Sequence, residues 1–372
     1  MRLRCSISPQ VALISYLCNP MPLSKKKNIR DCSAEEITVF FKDQGEKAFR
    51  SKQVYEWLWQ KSVQSFEEMT NLPKSSREKL SGQFELLPAR ILKTQKSSDG
   101  TVKNAFRLHD GNIIEGVLIP AEDRVTACVS SQVGCSLTCK FCATGMMERV
   151  RNLDAGEIYD QVVHLRNQSE QFYNTPLTNI VYMGMGEPLL NYSEVLRSVD
   201  RITATDGLNM SSQRITVSTA GIAKMIKKLG DDEVKFNLAL SLHAANDRKR
   251  SEIMPINEQN SLEVLGEALK YFNRKTGTRV TYEYIVFKGF NDSPEDAQEL
   301  ALFCRIVPCK VNIIEYNPVE GTGFTNARAD KIEHFKKILE QKKIIVNIRR
   351  SRGKDIDAAC GQLANKSVPS EN

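Results

Sequence analysis

Three of the ten cysteines in this 372-residue chain, Cys135, Cys139 and Cys142, crowd into one short stretch. Three thiolates on a tight loop can ligate three irons of a 4Fe–4S cube and leave the fourth iron without a protein ligand, free to chelate a small molecule. The competing chemistry is structural zinc. A closed zinc site takes four ligands, usually in two separated pairs, and no second pair lies nearby in the sequence. The spacing therefore points to an iron–sulfur cluster. Further along, Met183-Gly-Met-Gly-Glu-Pro188 sets the carboxylate of Glu187 and open backbone in one turn, an arrangement suited to an ammonium group. Alone, that stretch is only a turn.

A reactive loop needs a rigid frame. From residue 124 onward the apolar runs alternate between strand and helix: strands are predicted at 126–133, 179–185, 214–218, 237–242, 280–287 and 311–316, and helices at 154–167, 193–204, 221–229, 262–274, 294–306 and 331–341. Six βα units predict an α/β fold with a parallel sheet and crossover helices, curved into an open, partial (β/α)6 barrel. Chemistry in such folds gathers at the carboxyl ends of the strands, where both the cysteine loop and the Gly-Glu turn fall. Ahead of the barrel, alternating runs at 91–95, 101–108 and 112–119 are separated by Asp99-Gly100 and Asp110-Gly111, which predicts a small β meander. Residues 31–87 read as an N-terminal helical accessory domain. Asp31 or Ser33 can cap its first helix, and Ile37, Phe40 and Phe41 share a face. The expected organisation is an extension over 1–27, either disordered or upstream of the true start, for which Met21 is a candidate, then a helical RNA-binding unit over 28–88, the meander over 89–124, the barrel over 125–349, and a carboxyl-terminal segment over 350–372.

The cysteine spacing, with Phe141 before the last cysteine and the Gly-Glu turn one strand later, resembles the radical S-adenosylmethionine superfamily. Within it, residues 29–363 resemble the RlmN/Cfr family of RNA methyltransferases. The shared marks are Glu115 in Ile-Glu-Gly-Val-Leu-Ile-Pro, Cys128 in Cys-Val-Ser-Ser-Gln-Val-Gly-Cys, Val217-Ser-Thr-Ala-Gly221, Ser241-Leu-His243, Asn317 in Tyr-Asn-Pro, and the run Gly353 to Leu363.

That resemblance implies roles. Cys135, Cys139 and Cys142 would bind the 4Fe–4S cluster, while Gly186, Glu187, Ser218, Ser241, Leu242, His243 and Asn317 would hold S-adenosylmethionine. Cys360, in the carboxyl-terminal segment over 350–372, would be the methyl carrier, the cysteine that is itself methylated, with Cys128 its partner in a transient disulfide and Glu115 the proton acceptor. The implied activity is methylation of adenine C2 in 23S rRNA and in tRNA; the family's C8-specific branch shares the cluster, both reactive cysteines and the cofactor site. Without the family pattern each is ordinary: a buried cysteine is often a small hydrophobe, and a single histidine at a strand end is by default a hydrogen-bonded structural residue.

Bulk properties set limits. A hydrophobic fraction of 41% and a charged fraction of 26% describe a globular chain rather than a disordered one. The net charge of +7 is compatible with a polyanionic partner without requiring one. Lys25 to Lys27, Arg30, Lys47, Arg50 and Lys52 form one candidate phosphate-binding group, and Arg349, Arg350, Arg352 and Lys354 another. Unevenly spaced cysteines argue against a secreted disulfide scaffold and for a reducing, cytoplasmic setting. No membrane span is expected. The expected partners are 23S rRNA, tRNA and a flavodoxin-type electron donor, and the expected state is a monomer. A zinc-stabilised RNA-binding protein without catalysis is the alternative from another class.

Overall fold

A computed structural model describes residues 26–366. The extension expected over 1–27 lies, through residue 25, outside the described residues, as do Lys25, Met21 and the chain beyond 366.

One sheet dominates, built from β1 (Arg90–Lys96), β2 (Val102–Arg107), β3 (Ile113–Ala121), β4 (Arg124–Cys128), β5 (Asn179–Tyr182), β6 (Ile215–Thr219), β7 (Asn237–Ser241), β8 (Val280–Val286), β9 (Cys309–Glu315) and β10 (Val346–Arg349). The strands stand side by side in chain order, with β1 at one edge and β10 at the other. From β1 to β4 the pairing is antiparallel, and from β4 to β10 it is parallel. The sheet is therefore open, as the partial barrel requires. It carries one more parallel strand than expected, because β10 is short and its alternation is too brief to stand out. The meander is not a separate sheet but the antiparallel flank of the same one, joined through β4.

Helices α4 (Ala155–Tyr173), α5 (Tyr192–Thr203), α6 (Ala223–Asp231), α8 (Leu262–Thr276), α9 (Pro294–Phe303) and α10 (Ala329–Gln341) make the crossovers. Between α6 and α8 stands α7 (Asp247–Ile253), which was not anticipated: Asp-Arg-Lys-Arg-Ser-Glu-Ile has no apolar stripe. Beneath the mouth of the sheet, Phe141, Ile253, Met254, Ile285, Phe287 and Tyr316 form a buried apolar cluster of their own.

The helical unit comprises α1 (Ala34–Asp43), α2 (Phe49–Trp59) and α3 (Lys74–Gln83). Ser33, rather than Asp31, caps α1: its hydroxyl accepts from the Glu36 N–H at 3.1 Å and Glu36 returns to the Ser33 N–H at 2.7 Å. The unit docks on α4 through a buried ion pair, Arg30 to Asp160 at 2.6 Å, and through Trp59, whose ring meets Tyr159 edge-on at 5.1 Å. Arg30 is thus a docking residue, not a member of a phosphate-binding surface.

Asp154 caps α4, and Glu157 Oε2 accepts from its backbone N–H at 3.0 Å. Burial, reinforced by the carboxylates of Glu157 and Asp31, pushes Asp154 up to about 6. The folded chain therefore holds a proton that the unfolded chain has already released, so stability falls as pH rises from the ordinary carboxyl value toward 6. Asparagine is an equally good cap. We expect Asp154→Asn to gain about 1 kcal/mol at pH 7, a figure discounted for partial exposure. That gain should vanish below about pH 4. Thermal melts across this range read the difference, and an offset independent of pH would refute it.

Candidate active site

Directly after β4, Gln132–Val133 pairs antiparallel with Arg151–Asn152 and pinches off a loop at its base. Gly134 opens the loop with φ +74, and a Cβ there would lie 1.9 Å from the Glu148 carbonyl oxygen. Inside it, the N–H of Cys142 donates to the Cys139 carbonyl at 3.2 Å and that of Gly145 to the Cys142 carbonyl at 3.0 Å; the Lys140 N–H anchors the loop to α7 through the Ile253 carbonyl at 3.0 Å. Cys135, Cys139 and Cys142 all line one cavity at the carboxyl ends of the parallel strands.

Burial pushes the Cys135 thiol up to about 11, and burial together with the two neighbouring thiols raises Cys139. Burial alone raises the Cys142 thiol, and three thiols held in the neutral form in this way fit a cationic ligand that takes them as thiolates. Among the described residues no group of three or more His, Cys, Asp or Glu side chains could hold a single metal ion. The three thiols share a cavity wall instead, which suits a cluster offering an iron to each.

The opposite wall is made by strand ends. Gly186 has φ +94, and a Cβ would sit 2.5 Å from the Gln132 side chain, whose Oε1 accepts from the Glu187 N–H at 2.8 Å. Glu187 is buried at the cavity edge; its Oε1 accepts from Leu189 N at 3.0 Å and its Oε2 from Ala220 N at 2.7 Å. The carboxylate therefore ties the turn after β5 to the end of β6. Ser218 and Ser241 bring their hydroxyls within 3.4 Å of each other at the ends of β6 and β7. His243, in left-handed backbone at φ +54, accepts from the Ile285 N–H at Nδ1, 3.1 Å. Burial and then the Arg250 charge drive its pKa down to about 3. The ring is neutral with its proton on Nε2, and the edge of Phe141 packs against it at 4.7 Å.

Leu242 and Asn317 stand behind this wall. The Leu242 side chain is in the core, and its backbone links Glu283 to Arg250. Asn317 Nδ2 donates to the Cys360 carbonyl at 3.1 Å, while its Oδ1 is buried without a partner. An orphaned acceptor held against the Cys360 backbone fits a ligand bearing N–H donors, such as S-adenosylmethionine. Arg250, fully buried on α7, donates to the carbonyls of Ala220, Ser241 and Leu242 and to Asn257 Oδ1. It fastens the strand ends that form the wall. No sequence signal marks it, since a lone arginine in a charged run reads as solvated.

Two further thiols open onto the cavity. Cys128 ends β4, and Cys360 lies in the carboxyl-terminal segment; the exposed surface of Cys360 is cavity surface. Burial pushes Cys128 up to about 12 and Cys360 up to about 11. Arg349, at the end of β10, opposes both shifts. Its Nη1 reaches Glu283 Oε2 at 3.2 Å, and Glu283 Oε1 accepts from Asn312 Nδ2 at 2.8 Å. Arg349, expected to be a phosphate ligand, is thus ion-paired inside the site, and Glu283 was not anticipated at all. Lys354 likewise pairs with Glu315 at 3.0 Å. Arg350 and Arg352 line the cavity.

Glu115 shares the sheet face of Cys128: the two flank Val117, which pairs with Cys128 across β3 and β4. Its side chain does not line the cavity. It is buried beneath the terminal segment, with Oε1 at 3.3 Å from Lys103 Nζ and Oε2 accepting from the N–H groups of Ala364 and Asn365 at 2.9 and 3.1 Å. All eight cysteines among the described residues are free thiols, so the disulfide implied for Cys128 and Cys360 is not formed in this state. Cys304 and Cys309 lie together away from the cavity.

Residues 27–86 match the ribosomal RNA large subunit methyltransferase N-terminal domain, and residues 129–301 match the radical SAM superfamily. The chain is 62% identical over 359 residues to a probable dual-specificity RNA methyltransferase RlmN from Cytophaga hutchinsonii, covering 96% of this chain and 98% of that one. It is 42% identical over 349 residues to the dual-specificity RNA methyltransferase RlmN of Anaeromyxobacter dehalogenans, covering 92% and 93%. Its fold matches the crystal structure of a radical SAM methyltransferase from Sphaerobacter thermophilus with a TM-score of 0.86 at 40% identity, covering 91% of this chain and 99% of that one.

Proposed function

Because the chain belongs to the RlmN family of radical SAM RNA methyltransferases, which work with a 4Fe–4S cluster and S-adenosylmethionine, we propose that it methylates C2 of adenine in 23S rRNA and in tRNA. In this reading Cys360 carries the methyl group, Cys128 releases the product and Glu115 accepts a proton. The observation that carries it is the opening of the Cys128 and Cys360 thiols onto the same cavity as the three cysteines of the loop.

Carbon 2 of adenine lies between two ring nitrogens and is electron-poor, so it does not attack a methyl sulfonium as a nucleophile. A thiolate does. When bound, the cluster and S-adenosylmethionine supply both the methyl group and the radical that activates it. Cys135, Cys139 and Cys142 would hold the cluster. Gly186, Glu187, Ser218, Ser241 and His243 would seat the cofactor, with Leu242 and Asn317 in support.

Cys360 takes the methyl on its sulfur, and after hydrogen removal that carbon bonds to C2, joining RNA to protein. The Glu115 carboxylate would take the C2 proton as the adduct gives up its unpaired electron, the one equivalent that the radical step had consumed. The Cys128 thiolate then bonds to Cys360 sulfur while the electron pair of the sulfur–carbon bond leaves on the carbon, which takes up a proton to become the methyl group; this frees the methylated base and leaves a disulfide to be reduced before the next turnover. Arg349 stands where it can stabilise either thiolate. Arg350 and Arg352, at the cavity wall, are placed to meet phosphates. A paired adenine cannot reach Cys360, so the target base must be unpaired or extruded.

Among the described residues no helix is long and apolar enough to cross a membrane. We assign the protein to the cytoplasm as a monomer, served by a flavodoxin-type donor, because the disulfide and the radical step both demand electrons. A noncatalytic zinc protein is incompatible with the family. The C8-specific branch shares the chemistry, and the matched amino-terminal domain favours C2. Mass mapping of RNA after reaction with reduced enzyme tests this: 2-methyladenosine is the expected product, and 8-methyladenosine or unmodified RNA would refute it.

A further inference from the structure

The segment bearing Cys360 is held from two directions. On the cluster side, the N–H of Ala143 donates to the Gly361 carbonyl at 2.7 Å and the Thr144 hydroxyl to the Leu363 carbonyl at 2.6 Å. On the other side stands the antiparallel flank of the sheet. Lys103 on β2 and Glu115 on β3 both flank the sheet position of Val117, and only 3% and 0% of their side chains are exposed. Their ion pair would be expensive to bury if its remaining hydrogen-bonding capacity were idle. Part of that capacity goes to the terminal segment. Lys103 Nζ donates to the Asp357 carbonyl at 3.3 Å, and Glu115 Oε2 accepts from the N–H groups of Ala364 and Asn365. The two contact points lie on opposite sides of Cys360 in the chain. Each includes a residue in left-handed backbone, Asp357 at φ +51 and Asn365 at φ +58, conformations that surrounding contacts must hold.

We propose that Lys103 is a positioning residue: with Glu115 it forms a clasp that grips the chain before and after Cys360 and so sets where the carrier sulfur stands in the cavity. Lys103 does not line the cavity and acts only through the segment. The inference rests on the reading of Cys360 as carrier, and it adds a constraint: while residues 364 and 365 are docked, the Glu115 carboxylate is engaged by the tail, and accepting a proton from substrate requires those two N–H groups to let go.

The test compares full-length, cluster-loaded protein with Lys103→Met, Lys103→Arg and the charge-free pair Lys103→Met with Glu115→Gln. Hydrogen exchange is followed by peptide under anaerobic conditions, together with the rate at which iodoacetamide alkylates Cys360. Losing charge-assisted hydrogen bonds should speed both exchange over 357–366 and alkylation by about tenfold or more in Lys103→Met. Exchange in α4 and in the helical unit should not change, and Lys103→Arg should recover most of the protection. The same Met variant should still form 5′-deoxyadenosine but transfer fewer methyl groups to RNA per molecule formed.

Unchanged exchange over 357–366 in both Lys103→Met and the charge-free pair would overturn the clasp, as would an increase spread evenly over the chain. If instead the parent enzyme never gains a methyl on Cys360, the carrier reading falls, while the exchange and alkylation results still decide the clasp.

Discussion

Cys360→Ala is expected to abolish RNA methylation, a loss of at least about a thousandfold, because a covalent carrier has no substitute in the site. The same variant should retain its iron and sulfide. The Cys360 backbone, not its side chain, ties the segment down: its carbonyl accepts from Asn317, and the adjoining Gly361 carbonyl accepts from Ala143. Alanine preserves both bonds, so the cluster loop keeps its support. Intact-peptide mass spectrometry of the parent after incubation with S-adenosylmethionine should find one extra methyl on the peptide containing residue 360. Methylated RNA from the alanine variant, or a bare thiol in fully active parent, would remove Cys360 from the carrier role.

A trapped intermediate is the second large effect. Cys128 is buried at the end of β4, and alanine there removes a single sulfur from an otherwise intact strand pairing with Val117 and Val181. Packing should therefore survive at modest cost. What is lost is the sulfur that displaces the Cys360 thioether. With Cys128→Ala, turnover should stop after one addition, and RNA should remain joined to the protein through Cys360. A denaturing gel would show a nuclease-sensitive band above the free protein, and peptide mapping would find nucleotide on residue 360. Release of free methylated RNA at the parent rate would show that another group breaks the bond. The paired variants thus separate loading from release: one should give no adduct and the other an adduct that persists.

The two thiols also show how far local sequence reaches. Cys135, Cys139 and Cys142 were legible because three thiols in one turn are close whatever the rest of the chain does. Glu187, Ser218 and His243 were placed at strand ends because apolar runs mark strands and a parallel sheet aligns their carboxyl ends. Arg250, Glu283 and Arg349 gave no such signal. Each is a common charged residue whose meaning comes from what it meets: three carbonyls of two strand ends, an asparagine of the next strand, or a pair of thiols. Arg30 misled for the same reason, since a basic residue near other basic residues reads as a phosphate ligand until Asp160, far along the chain, is seen to cover it.

Composition, spacing and periodicity by themselves determined the fold class, the cluster loop and the succession of strands and helices along the chain. Those features depend on residues a few positions apart, whose geometry the backbone imposes directly. Only the tertiary structure decided that the meander continues the barrel sheet, that a seventh parallel strand brings Arg349 to the thiols, and that Lys103 and Glu115 grip the tail. These depend on pairs separated by scores or hundreds of residues. Their energy is settled by burial and by which polar groups would otherwise go unpaired, quantities that exist only once the chain has folded.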